Sequence, residues 1–275
     1  MINSIRAETV LLGKRTSTWV LLGIWTWLAI FFTYVVDYFA RDETLGWQGV
    51  ANMMPAGVPQ VVLTSLPFFG GVLVLLMAII SIGGDFGSNT LKLVFTQRAQ
   101  RTEVFGAKLA AIGIWLLPFI AVGMGACLIA SEIVAWRVDG PADLPSISVL
   151  VRTVLAAWLI LAVWATLGTL LALLSRGTSL AIGVGIMYGL AVEGIVSNFF
   201  DSISFLEPLI KGMLRTNAYS IAATLGVTTD RTRDIGPASF AGPYVSAEQA
   251  VTVLLAYMVL FGGLGAWVLR RRDIS

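Results

Sequence analysis

Five stretches of this chain carry no charged residue: 16–36, 44–84, 109–131, 153–175 and 249–269. This pattern constrains the fold more than any motif. A run of about 20 apolar residues makes a helix roughly 30 Å long, matching the hydrocarbon thickness of a bilayer. Only 12% of the 275 residues are charged and 57% are hydrophobic, whereas a soluble domain carries about a quarter charged residues. The 44–84 run exceeds one helix, but Asn52, Pro55, Gly57 and Pro59 punctuate its first half, so only its second half reads as a span. A sixth span, Thr178–Asn198, is interrupted by Glu193. The sequence predicts an all-α integral membrane protein, one transmembrane domain over 1–275, with spans at 18–38, 61–82, 104–136, 149–175, 178–198 and 249–269.

Six spans put both termini on one side. Lys and Arg concentrate in cytoplasmic segments near span ends. With the termini inside, the inner segments hold Arg6, Lys14, Arg15, Lys92, Arg98, Arg101, Lys108, Arg176, Arg270, Arg271 and Arg272 against the acids Glu8, Asp85, Glu103 and Asp273. That bias predicts cytoplasmic termini and a cytoplasmic (inner) membrane location. The first span, Thr18–Tyr38, is too long and too aromatic for a signal-peptide core, so no cleaved leader is expected. Histidine is absent and Cys127 is the single cysteine. Intrachain disulfides, Cys–His catalysis and His- or Cys-based metal sites are thereby excluded.

Residues Ile2–Gly13 place Ile2, Ile5, Thr9 and Leu12 at helical spacing, with Arg6 and Glu8 on another face. Either a short interfacial helix precedes the first span, or that span frays here. Pro118 is expected to kink the third span. After the fifth span, Phe199 to Met213 has amphipathic spacing and a second short helix starts near Asn217, an external helical segment before the sixth span. Ser246 and Gln249 form a capping-box pattern at the start of that span.

The polar interruption Gly84–Lys108 lies between the second and third spans. Gly83, Gly84 and Gly87 are read as breaking the second span, with Asp85, Ser88 and Asn89 as helix N-cap candidates. Thr90–Thr96 then makes about two turns, with Leu91, Val94 and Phe95 on one face and Lys92 on another. Such a helix either lies on lipid or docks into a groove on a cytosolic protein.

The six-span order, this loop, the long outer segment after the fifth span and the basic tail resemble the membrane subunits of ABC-2 type transporters. Gly87-Ser88-Asn89-Thr90-Leu91-Lys92 looks like that family's Gly-Thr-Leu-Arg/Lys segment. Arg101 and Lys108, seven apart, look like its Ser-Arg…Lys pattern before the third span, and Leu269–Ile274 is similar to its basic C-terminal end. Gln97-Arg98-Ala99-Gln100 stands where the family often has Pro and Ser, which leaves the form of that turn open. The resemblance implies that Thr90–Thr96 is a cytosolic coupling helix docking on a separate ABC ATPase. Asp85, Thr90, Leu91, Lys92, Val94, Phe95 and Arg101 would make the contact. It also implies pairing with a second copy or a homologous permease. No GxxxxGK[ST] loop occurs, so ATP and Mg would be bound by the partner, with no cofactor in this chain.

Glu193 is the one acid well inside a span, and it lies about 22 Å along from Thr178 at helical rise. It either pairs structurally with an outer arginine or serves a substrate path or gate. Gly185 and Gly189 make a GxxxG pattern, a candidate dimer interface once the resemblance is considered. Trp25 and Phe32 belong to an aromatic cluster in the first span that either packs or lines an apolar substrate's path. The leading expectation is a permease subunit of an ATP-driven exporter of a drug, lipid or peptide, with lipid and an ATPase as partners, no nucleic acid and no enzymatic activity of its own. The alternatives are a membrane-embedded enzyme and a non-transporting anchor or sensor.

Overall fold

The structure is a computed structural model that describes residues 1–40, 43–87, 101–193, 205, 207–224 and 245–271. Helix dominates these residues and no strand occurs among them. Helix α1 (Ile2–Lys14) is separated from α2 (Thr16–Ile30) by Arg15, whose backbone is extended. The N-terminal segment is therefore a helix of its own rather than the frayed start of the next. A π-turn (Phe31–Val36) and α3 (Asp37–Ala40) continue α2 without a gap. Short 3-10 segments, Glu43–Met53 and Pro55–Gly57, lead into α4 (Val58–Ser65), a second π-turn (Leu66–Gly70) and α5 (Gly71–Gly87). Helix α6 (Arg101–Arg137) follows, then α7 (Ile147–Ser175), α8 (Ser179–Ile186) and a third π-turn, Met187–Val192. Helices α9 (Glu207–Lys211), α10 (Leu214–Thr224) and α11 (Ala247–Arg271) complete the described chain.

Among the described residues, four helical stretches are long and apolar enough to cross a membrane: Thr16–Ala40, Thr102–Arg137, Ile147–Ser175 and Ala247–Arg271. Gly71–Gly87 and Ser179–Val192 are apolar but shorter. Of the six expected spans, the second and fifth are thus the two that do not reach spanning length as single helices. In the second, α4 passes through the π-turn at Leu66–Gly70 into α5 without a gap, and Pro67 has no N–H for the regular ladder there. The fifth passes beyond Glu193 into residues outside those described. Helix α6 runs through Pro118 as one element.

Glycines set the central packing. A side chain at Gly71 would meet the Trp164 ring at 2.5 Å, one at Gly168 would meet the Leu75 carbonyl oxygen at 2.5 Å, and one at Gly83 would meet Gly177 at 2.9 Å. The pairs 71–164, 75–168 and 83–177 advance together, so α5 and α7 run in the same direction with their backbones in close approach. Helix α8 and the π-turn that continues it run the opposite way along α5, since Gly185 faces Leu75 and Gly189 faces Val72. Leu75, Ile79, Leu161, Trp164, Phe119 and Trp25 are buried at the centre of this arrangement.

Gly83 and Gly84 therefore do not break the second helix, which continues to Gly87. The absent side chain at Gly83 admits the Ser175–Thr178 turn. In that turn Arg176 caps α7 in the left-handed conformation, at φ 53°. The capping expectation at the last helix holds in its first half: the Gln249 N–H donates to Ser246 Oγ at 3.3 Å.

Candidate functional site

Two polar clusters sit in the apolar framework, one at each end of the helices that carry them. The first is built on Asp85, in the last turn of α5. Arg15, in the break between α1 and α2, donates from Nη2 to Asp85 Oδ1 at 3.0 Å. Its Nη1 reaches the carbonyls of Ile80 and Ser81 at 3.0 and 3.2 Å. These carbonyls lie a turn or more before the helix end at Gly87, so the guanidinium shares oxygens of the helical ladder near its negative pole. Lys108, two turns into α6, approaches Asp85 Oδ2 at 2.6 Å and both oxygens of Glu8 on α1 at 2.8 Å. Trp115 Nε1 on α6 donates to the Thr9 carbonyl at 2.8 Å, holding α1 along the same face.

Lys108 and Asp85 are buried, and two cations face two carboxylates. Burial of either alone would be expensive; the balanced, hydrogen-bonded set is tolerated. The cluster joins α1, the Arg15 break, α5 and α6. It brackets segment 88–100, since Asp85 lies just before it and Lys108 shortly after. Asp85 is thus inside α5 and ion-paired, rather than an N-cap for a following helix. Sequence reasoning named Asp85 and Lys108 but not Glu8 or Arg15 as their partners. The available signal was charge balance among residues crowded at span ends. Thr90, Leu91, Lys92, Val94 and Phe95 lie outside the described residues, and Arg101 opens α6.

The second cluster centres on Glu193, which follows the third π-turn and is fully buried. Its Oε1 accepts from the Tyr188 hydroxyl at 2.6 Å and from the Leu214 N–H at 3.1 Å; Oε2 accepts from the Arg215 N–H at 2.8 Å. The carboxylate thus caps the start of α10 from outside, satisfying two of the N–H groups a helix leaves open at its first turn. The buried Arg215 side chain in turn donates from Nη2 to the Gly189 carbonyl. Nearby, Tyr257 on α11 donates to the Gly212 carbonyl at 3.1 Å. Glu193 is engaged with α10 as an intrachain latch.

Trp25 is completely buried, stacks on Phe119 at 5.0 Å between ring centroids, and lies against Gly70 and Gly123. Phe32 is partly exposed and stacks on Phe69 at 5.2 Å. Gly185 and Gly189 face Leu75, Val72 and Trp164, so their side of α8 is occupied within the chain. Among the described residues, no group of three or more His, Cys, Asp or Glu is placed to hold a metal ion.

The chemistry of both clusters is that of fastening: charge neutralisation and helix capping. The described residues thus form a helical protein with four helices fit to cross a membrane and two polar fastenings among them. A family model described as "Protein of unknown function (DUF2705)" matches residues 28–275, and the chain belongs to that family. No curated protein matches it.

Proposed function

We propose that this chain is the membrane-spanning permease subunit of an ATP-driven ABC-2 type exporter. In this reading it crosses the cytoplasmic membrane six times with both termini inside. The α4–α5 stretch and the stretch that starts at α8 supply the second and fifth crossings. Segment 88–100 docks on a separate ATPase that binds ATP and Mg, and a second permease completes the transporter. The cargo is a hydrophobic or amphipathic drug, lipid or peptide.

One observation carries the reading: the buried Glu8–Lys108–Asp85–Arg15 cluster at the base of segment 88–100. A cytosolic segment that receives force must be anchored to helices that move together. Here the two helices flanking the segment are ion-paired to each other and to α1. The apolar face of Leu91, Val94 and Phe95 and the absent phosphate loop add support from sequence.

The test is purification of the full chain in mild detergent from cells that also make the products of its neighbouring genes. The expected result is a stoichiometric ATPase that is lost when Leu91, Val94 and Phe95 are replaced by Asp. Inverted vesicles should then take up cargo only with ATP. A chain that purifies alone, or vesicles in which ATP moves nothing while an ATPase is bound, overturns the proposal.

A further inference from the structure

A half-open groove of about 510 Å³ lies between α6, α7 and α11. Gly113, Leu117, Trp158, Thr166, Met258 and Gly262 are among the residues that form it. All three helices belong to the stretches long and apolar enough to cross a membrane. The groove residues on α7 and α11 lie within about two turns of those helices' midpoints, and those on α6 reach back to about three turns before its midpoint. It therefore opens within the charge-free part of all three helices, where hydrocarbon is the solvent.

Its few polar groups are already used. Trp158 Nε1 donates to the Gly113 carbonyl at 2.9 Å, and the Thr166 hydroxyl donates to the Val163 carbonyl at 2.8 Å. A buried water needs two to four polar partners, and this lining offers little beyond the accepting lone pairs of the Thr166 hydroxyl. An unfilled space would forfeit the van der Waals contacts of every wall. Its volume is several times the roughly 150 Å³ of an apolar cavity that admits a benzene-sized ligand. A helix 10–12 Å across, running the groove's length of about 12 Å, would need on the order of 1,000 Å³. A single flexible hydrocarbon chain fits inside.

We propose that this groove is a lipid site that holds one acyl chain of a bilayer phospholipid. Leu117 and Ile114 stand at its lip, both about half exposed, and let a chain enter sideways from the membrane. The wall at Gly262 is open, since a side chain built there meets nothing within 4 Å. Selectivity comes from contact and shape, because lipid tails are as apolar as the walls and burial alone gives no preference. The proposal is independent of any ATPase.

The test uses the full chain in nanodiscs of phosphatidylcholine doped with a phosphatidylcholine carrying a mid-chain diazirine. After irradiation, adducts are mapped by mass spectrometry. Adducts should concentrate on Ile114, Leu117 and Met258 at least about fivefold over Val259, exposed beside Met258 outside the groove, and over Val122, exposed a turn or two beyond Leu117 on α6. Gly262→Phe should abolish that excess and leave Val122 and Val259 unchanged. Even labelling of all exposed positions in the unmodified chain overturns the proposal without recourse to any variant. An excess that persists in a folded Gly262→Phe chain overturns it as well.

Discussion

Lys108 and Asp85 show what a charged residue must do at the edge of an apolar framework. Each is buried, and each meets two oppositely charged partners. Removing one member of such a set leaves the other short of compensation. A double-mutant cycle of Asp85→Asn and Lys108→Met, read by thermal unfolding in detergent, should give a coupling energy of about 1–3 kcal/mol. The exposed pair Glu207–Lys211 offers the contrast, at 40–49% exposure: Lys211→Ala should cost less than about 0.5 kcal/mol. Equal effects would show that the buried cluster is not a fastening. Arg176 holds a left-handed conformation that L side chains adopt at a cost of about 1–2 kcal/mol. Arg176→Gly should therefore raise the unfolding midpoint, and a lowered midpoint would assign the guanidinium a contact that outweighs the strain.

At the level of elements, the close approach of α5 and α7 depends on glycines with unequal duties. At Gly168 a methyl group would press on the Leu75 backbone, which cannot rotate away; at Gly262 it would enter open space. Gly168→Ala should destabilise by about 1–3 kcal/mol through overpacking. Gly262→Ala should be neutral or stabilise by up to about 1 kcal/mol through helix propensity. Chemical denaturation of both variants checks the order, and similar values would mean that α5 and α7 are not in register as described. The start of α10 is likewise decided from outside, by Glu193. Glu193→Ala strands the Tyr188, Leu214 and Arg215 donors at about 1–3 kcal/mol each. Tyr188→Phe removes one donor and should cost about 1 kcal/mol. Limited proteolysis should cleave between α8 and α11 faster in Glu193→Ala than in Tyr188→Phe. The Gly83-Gly84 pair shows why such elements are hard to read locally. Glycine is a breaker by propensity, but here the neighbouring Ser175–Thr178 turn needs its space, and tertiary contact overrides propensity.

For the whole molecule, the proposed six crossings make a direct topological prediction. Cys127 is buried at 1% exposure, so it stays silent to an aqueous thiol reagent and new cysteines report cleanly. Asn3→Cys should label only after permeabilisation, and Ala142→Cys in intact cells; labelling of both from one side would refute the arrangement. The apolar runs were legible because lipid demands about 20 uncharged residues per crossing, and that demand is written consecutively along the chain. Ser246 and Gln249 were legible for the same reason, since a cap acts over three residues. Glu193 was legible as an anomaly, but its partners, some 20 residues further on and across a turn, were not. Sequence alone determined a helical, membrane-compatible chain with an acid interrupting one apolar stretch, at Glu193, and a polar segment between two others. Tertiary structure alone decided that Asp85 faces Arg15 and Lys108, that the Gly185–Gly189 face is filled by α5 and Trp164, and that α6, α7 and α11 leave a groove between them. Local periodicity fixes which way a side chain points on its own helix, whereas partners depend on how distant helices cross and how closely their glycines let them approach.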